Sequence, residues 1–184
     1  MRKELGSQIL VVDSDEKVRK AFASLFQDRF QVSTFADTEA ALSWLKDNQD
    51  VSVIVSALNV VGRGGTAFLR ASESFAPSAA HVMLTGETSV DLLKQAINEG
   101  HLFQFLTKPC SAKELTAAVD AALAQHRRTV RDRKILEKTL SGSVKLLIEM
   151  LALFHSEAFR RTPAMRVQAL KIARRLGIKR TWEL

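Results

Sequence analysis

The feature that most restricts the fold of this sequence is a strict alternation of short apolar runs with helix-period segments, repeated five times. The apolar runs are Ile9 to Val12, Val32 to Phe35, Val51 to Val55, His81 to Leu84 and Phe103 to Leu106. Helical spacing covers Glu16 to Phe26, Thr38 to Leu45, Thr66 to Ser74, Val90 to Asn98 and a segment that begins after Ser111. Strands that are each followed by a helix pair in parallel, so this order predicts an α/β fold: a doubly wound five-stranded parallel sheet with helices on both faces. Boundary signals agree. Asp37 can cap the second helix, Gly100 can end the fourth, and Ser111 with Glu114 fits a capping box at the start of the fifth.

Open sheets of this kind carry their functional side chains at the carboxyl ends of the strands. The first strand leads into Asp13, Ser14, Asp15 and Glu16. The third reads VSVIVSALNVVGRGG, a β-branched run suited to burial on both faces, then a Gly-rich loop that closes at Gly65. HVMLTGETS places Thr85 and Gly86 after the fourth strand, and FQFLTKPC places Phe105, Lys108, Pro109 and Cys110 at the fifth. In this order the segments resemble bacterial response-regulator receiver domains, which have a flavodoxin-like fold. Each motif alone is weak; together they are specific.

The resemblance implies a role for each position. Receivers carry their phosphate-accepting Asp where this chain has Ala57, and a methyl group has no lone pair with which to attack phosphorus. They carry two adjacent acids after the first strand, the second a direct Mg²⁺ ligand, where this chain has Asp13 and Ser14. A hydroxyl is a poor ligand for a hard cation, so no cofactor is expected and Asp13 is at best a weak metal candidate, with Asp15 the remaining acid of a degenerate pocket. The bland reading of Asp13 to Glu16 is a helix N-terminus with stabilising acids. Thr85 matches the hydroxyl that senses the phosphoryl group, Phe105 the aromatic switch, Lys108 the phosphoryl-contacting lysine and Pro109 the proline after a cis peptide bond. Lys108 is expected to pair with Asp13 in preference to binding an anion, the alternative being a packed stem with its head in water. Cys110 is expected to be inert.

Charge divides the chain. Residues 1 to 125 carry 12 Lys and Arg against 15 Asp and Glu, a net of −3, whereas residues 126 to 184 carry 15 against 5, a net of +10. The expected domains are a receiver-like unit over 1–125 and, over 126–184, a helical linker with the start of a truncated helical output domain. Apolar residues at helical spacing run from Leu115 through Val119, Leu123, His126 and Val130, and resume at Leu136, Leu140, Val144, Leu147, Leu151 and Phe154. Ser141, Gly142 and Ser143 offer the first break. A stripe that outlasts the receiver needs another helix, so a protein partner or a second copy is expected, a homodimer being favoured over packing against a following domain.

The last fifty residues also resemble the connector and opening helices of receiver proteins with an HD-type output domain, a group that includes HD-GYP phosphodiesterases acting on cyclic di-GMP. None of His81, His101, His126 or His155 is followed by Asp and no GYP triplet occurs, so the chain lacks the parts for that hydrolysis and is not expected to be an enzyme. A rival reading takes ALKIARRLGIKRTWEL as a helix-turn-helix, with Thr162 and Pro163 at a helix start and Gly177 at the turn. The basic tail would favour phosphate contacts, but a recognition helix starting near Lys179 would have only about six residues, under two turns, so nucleic acid is the less favoured partner. With 46% hydrophobic residues, no apolar run near the ~20 needed to span a bilayer and no export signal, the chain is read as soluble and cytoplasmic, which its single cysteine suits.

Overall fold

A computed structural model describes residues 7–86, 102–154 and 162–175. The strands are β1 (Gln8–Val12), β2 (Gln31–Phe35), β3 (Val51–Ala57), β4 (Ala80–Thr85) and β5 (Gln104–Thr107). The helices are α1 (Glu16–Phe26), α2 (Thr38–Asp47), α3 (Gly65–Ser72), α4 (Ala112–Phe154) and α5 (Thr162–Arg175). The expected helix over Val90 to Asn98, its cap Gly100, and the Gly177 turn lie outside the described residues. All four strand pairings are parallel and the order is β2-β1-β3-β4-β5. The order reverses between β1 and β3, so the loops after these two strands diverge and leave a crevice at their carboxyl ends.

Each face of the sheet has its own core. Leu10, Val12, Ile54 and Met83 pack against Leu42 and Leu45 of α2 and Phe68 and Leu69 of α3. The alternate residues Ile9, Val11, Val53, Val55, Val82 and Leu84 pack against Phe22 and Phe26 of α1 and Val119, Ala122 and Leu123 of α4. β3 and β4 are buried at every position, which is why they read as mainly apolar runs broken only by Ser52, Ser56, His81 and Thr85. Helix ends are satisfied locally: Asp15 accepts from the Lys17 N–H at 2.8 Å and Asp37 from the Ala40 N–H at 2.8 Å.

The α4 start is a reciprocal capping box. Glu114 accepts from the Ser111 N–H at 2.8 Å and the Ser111 hydroxyl at 2.7 Å, and the Glu114 N–H donates back to Ser111 Oγ at 3.2 Å. The backbone hydrogen bond from Ser111, then that from its hydroxyl, hold the Glu114 carboxyl below the usual range. A depressed carboxylate pKa stabilises above the unfolded value, and this contribution is lost as pH falls through the lower folded value. Glu114→Gln is therefore expected to remove a pH-dependent increment confined to the acid side of about pH 4.5, visible as two acid-denaturation curves that differ between pH 5 and 3 in their slopes and coincide in slope above.

The helical tail departs from expectation at Ser141, Gly142 and Ser143, which do not break it. α4 runs through them as one helix of 43 residues. A single helical Gly costs only about 1 kcal/mol relative to Ala, and without Pro nothing removes a backbone donor or clashes with the preceding turn. The flanking Leu, Lys and Glu are good helix formers, so propagation continues across the weak point. The chain forms two compact units, 1–130 and 131–184. Within the first, His126 of α4 donates its Nδ1–H to the Ser78 carbonyl at 2.7 Å, and Arg29 meets Asp120 at 2.8 Å.

Candidate functional site

Asp13 follows β1 directly, with its backbone N–H on the Phe35 carbonyl at 3.1 Å, so pairing with β2 extends one residue past the strand and carries the carboxylate to the sheet edge. The side chain is only 3% exposed. Its Oδ1 accepts from the Asp15 N–H at 3.0 Å, and its Oδ2 is paired with the Lys108 ammonium. Lys108 reaches it from the end of β5, where its N–H bonds to the Thr85 carbonyl at 2.7 Å and its peptide bond to Pro109 is cis. The pair spans 95 positions of sequence and closes the crevice from both sides.

Arg19 completes this corner, and the sequence reading missed it. From the second turn of α1 its guanidinium donates to the Asp13 carbonyl at 2.6 Å and to the Ser14 carbonyl at 2.9 Å. Two cations thus hold one acidic loop, one at its carboxylate and one at its backbone. A cation seven residues beyond a strand end, about one turn into the following helix, is the pattern that could have indicated it.

Ala57 ends β3 and is buried, 4% exposed. Its carbonyl accepts from the Ser56 hydroxyl at 3.0 Å, and the next residue's N–H bonds to the Leu84 carbonyl at 3.0 Å. The loop then turns back on itself, the Gly65 N–H donating to the Leu58 carbonyl at 2.9 Å. A Cβ on Gly65 would stand 2.1 Å from the Ala57 carbonyl oxygen, so only glycine permits this approach. Gly62, at φ 103°, is similarly confined beneath Thr38, whose hydroxyl accepts from the Arg63 N–H at 2.9 Å.

The remaining positions are distributed unevenly. Thr85, buried at the end of β4, lies beside β5 opposite Thr107. Ser14 and Asp15 are exposed, and the Asp15 carboxylate is turned to the N-terminus of α1. Phe105 is exposed on β5, and Cys110 packs partly against the α1 face of the core. Among the described residues no three His, Cys, Asp or Glu side chains gather where they could hold a metal ion.

A five-stranded 2-1-3-4-5 parallel sheet with an acid, a hydroxyl and a lysine at the ends of β1, β4 and β5 defines a receiver fold. The response regulator receiver domain family matches residues 9–120, more than half the chain, and the chain belongs to that family, the receiver module of two-component signal transduction. It is similar to the C4-dicarboxylate transport transcriptional regulatory protein DctD of Rhizobium meliloti, 26% identical over 128 residues, which are 69% of this chain and 27% of that protein. Among solved structures it is similar to one described as an adenylate cyclase from Rhodopirellula baltica, 29% identical with a TM-score of 0.69 over 73% of this chain and 99% of that one. It is also similar to the signal receiver domain of an HD domain-containing protein from Pseudomonas fluorescens Pf-5, 28% identical with a TM-score of 0.63 over 72% and 96% of the two chains. The chain spans about a quarter of the length of the first curated relatives it matches, 27% and 24%. No helix of the described residues is long and apolar enough to cross a membrane.

Proposed function

We propose that this chain is a receiver that signals without aspartyl phosphorylation, through protein contacts made by its helical extension. The observation that carries this reading is the methyl of Ala57 at the buried end of β3, beside a carboxylate already neutralised by Lys108. Phosphoryl transfer to this position needs a side chain with a nucleophilic lone pair in line with the phosphorus, and no rotamer of alanine supplies one.

The Mg²⁺ that receivers use does not fit the residues present. It demands near-octahedral oxygen ligands and binds through one or two carboxylates plus water. The one buried carboxylate of the crevice has one oxygen on a backbone N–H and the other on an ammonium, and Ser14 adds only a neutral hydroxyl. A divalent cation at this carboxylate would sit beside the Lys108 ammonium, whose charge repels it. Asp13 therefore serves Lys108, which in turn ties the β5 loop to β1.

With the chemical input absent, the receiver equilibrium is governed by its intrinsic preference and by what binds it. The surface available for that is α4, whose exposed Leu136, Leu140 and Leu147 continue the stripe beyond the receiver. Two output classes stay open to a longer protein: an HD type, since the chain resembles the receiver of an HD domain-containing protein, and a DNA-binding type, since the relatives DctD and HoxA are transcriptional regulatory proteins.

Incubation with acetyl phosphate and Mg²⁺ is expected to leave the intact mass unchanged. A magnesium-dependent gain of one phosphoryl group would overturn the proposal.

A further inference from the structure

The 139–154 segment of α4 is apolar over too much of its circumference to be satisfied by one neighbouring helix. Leu146 and Ile148 are two residues apart and so lie about 200° apart round the axis. Met150, Leu147, Leu140 and Val144 fill the arc between them, and all six side chains are 44 to 62% exposed. Lys145 and Glu149 occupy what remains, with Lys138 just before the segment. A helix that meets one partner needs an apolar stripe of only about 100°, so this arc calls for two neighbours. α5 of the same unit leaves Val167 and Ile172 exposed while Ala173 is buried, and is the other helix with apolar residues to cover.

We infer that a second copy of this chain covers the arc, two α4 and two α5 segments forming a four-helix bundle. This rests on the reading of α4 as the contact surface. Charge selects the occupant. Although residues 126–184 carry +10 and α5 holds Arg166, Lys171, Arg174 and Arg175, the 139–154 segment holds one Lys and one Glu, which pair at 3.9 Å, so along α4 nothing attracts an acidic partner and nothing repels a second copy. Contiguous exposed apolar residues mark interaction sites, and a two-fold pairing of copies sets the same arc against itself.

The experiment is sedimentation equilibrium on the full chain. Unmodified protein is expected to dimerise, and a monomer throughout the micromolar range would overturn self-association while leaving the phosphorylation-independent reading to its own mass test. Leu146→Lys and Ile148→Lys, on opposite edges of the arc, are each expected to raise the dimer Kd about tenfold or more, with Lys145→Ser within about twofold. Helicity by circular dichroism must match the parent protein for these comparisons to count. A dimer weakened by Leu147→Lys but by neither edge substitution would be a two-helix seam, and the bundle would be wrong.

Discussion

Lys108→Met is expected to destabilise the protein by about 3 kcal/mol, the lower end of the cost of breaking a buried ion pair from one side. Asp13 is 3% exposed and, among the described residues, keeps only the Asp15 N–H on its side chain once the ammonium is gone, whereas Lys108 at 28% exposure can still draw on water in the intact pair, which sets the lower end of the range. The double variant Asp13→Asn with Lys108→Met is expected to recover more than half of the loss, because a neutral amide can accept the same N–H without an uncompensated charge. Urea denaturation of the four proteins measures the coupling. A Lys108→Met midpoint equal to that of the parent would show that the pair contributes nothing to holding β5 on β1.

An effect of similar size is expected from Gly65→Ala, through a different cause. The new Cβ would meet the Ala57 carbonyl oxygen at 2.1 Å and the Leu58 Cα at 3.0 Å, backbone atoms of a buried strand end that cannot swing aside as a side chain would. Overpacking of this kind costs up to about 3 kcal/mol. Gly64→Ala separates sterics from backbone preference, since Gly64 has φ 77°, ψ 159° and nothing within 4 Å of its Cβ position, leaving only the backbone penalty of about 1–3 kcal/mol for this nearly glycine-only conformation. Thermal denaturation should therefore rank Gly65→Ala below Gly64→Ala. The reverse order would mean that the β3–α3 loop yields easily and that Ala57 is not rigidly held.

The strands were legible because their signal is local and strong. β3 and β4 are buried on both faces, so most of their residues are apolar or small, with His81 the exception beside the Ser72 hydroxyl, and their runs stood out against the polar loops. Ser111 and Glu114 were legible for a similar reason, a capping box being a contract between residues three apart. Gly142 misled because a helix breaker acts on a local balance that good helix formers on either side can outweigh. Arg19 went unseen since its partners are backbone carbonyls, which look the same in every sequence.

What the sequence determined by itself is covalent and periodic. Ala57 has no nucleophile and Ser14 no charge whatever the chain does around them, and the βα alternation admits only a parallel sheet covered on both faces. What only the tertiary structure decided is which distant groups meet: the reversal of strand order between β1 and β3, Lys108 on Asp13 across 95 positions, and Gly65 against the Ala57 carbonyl. The reason is the range of the forces. Helical and strand periods are enforced by each residue's immediate neighbours, whereas these contacts follow from closing long loops, and their geometry exists only once the whole sheet has packed.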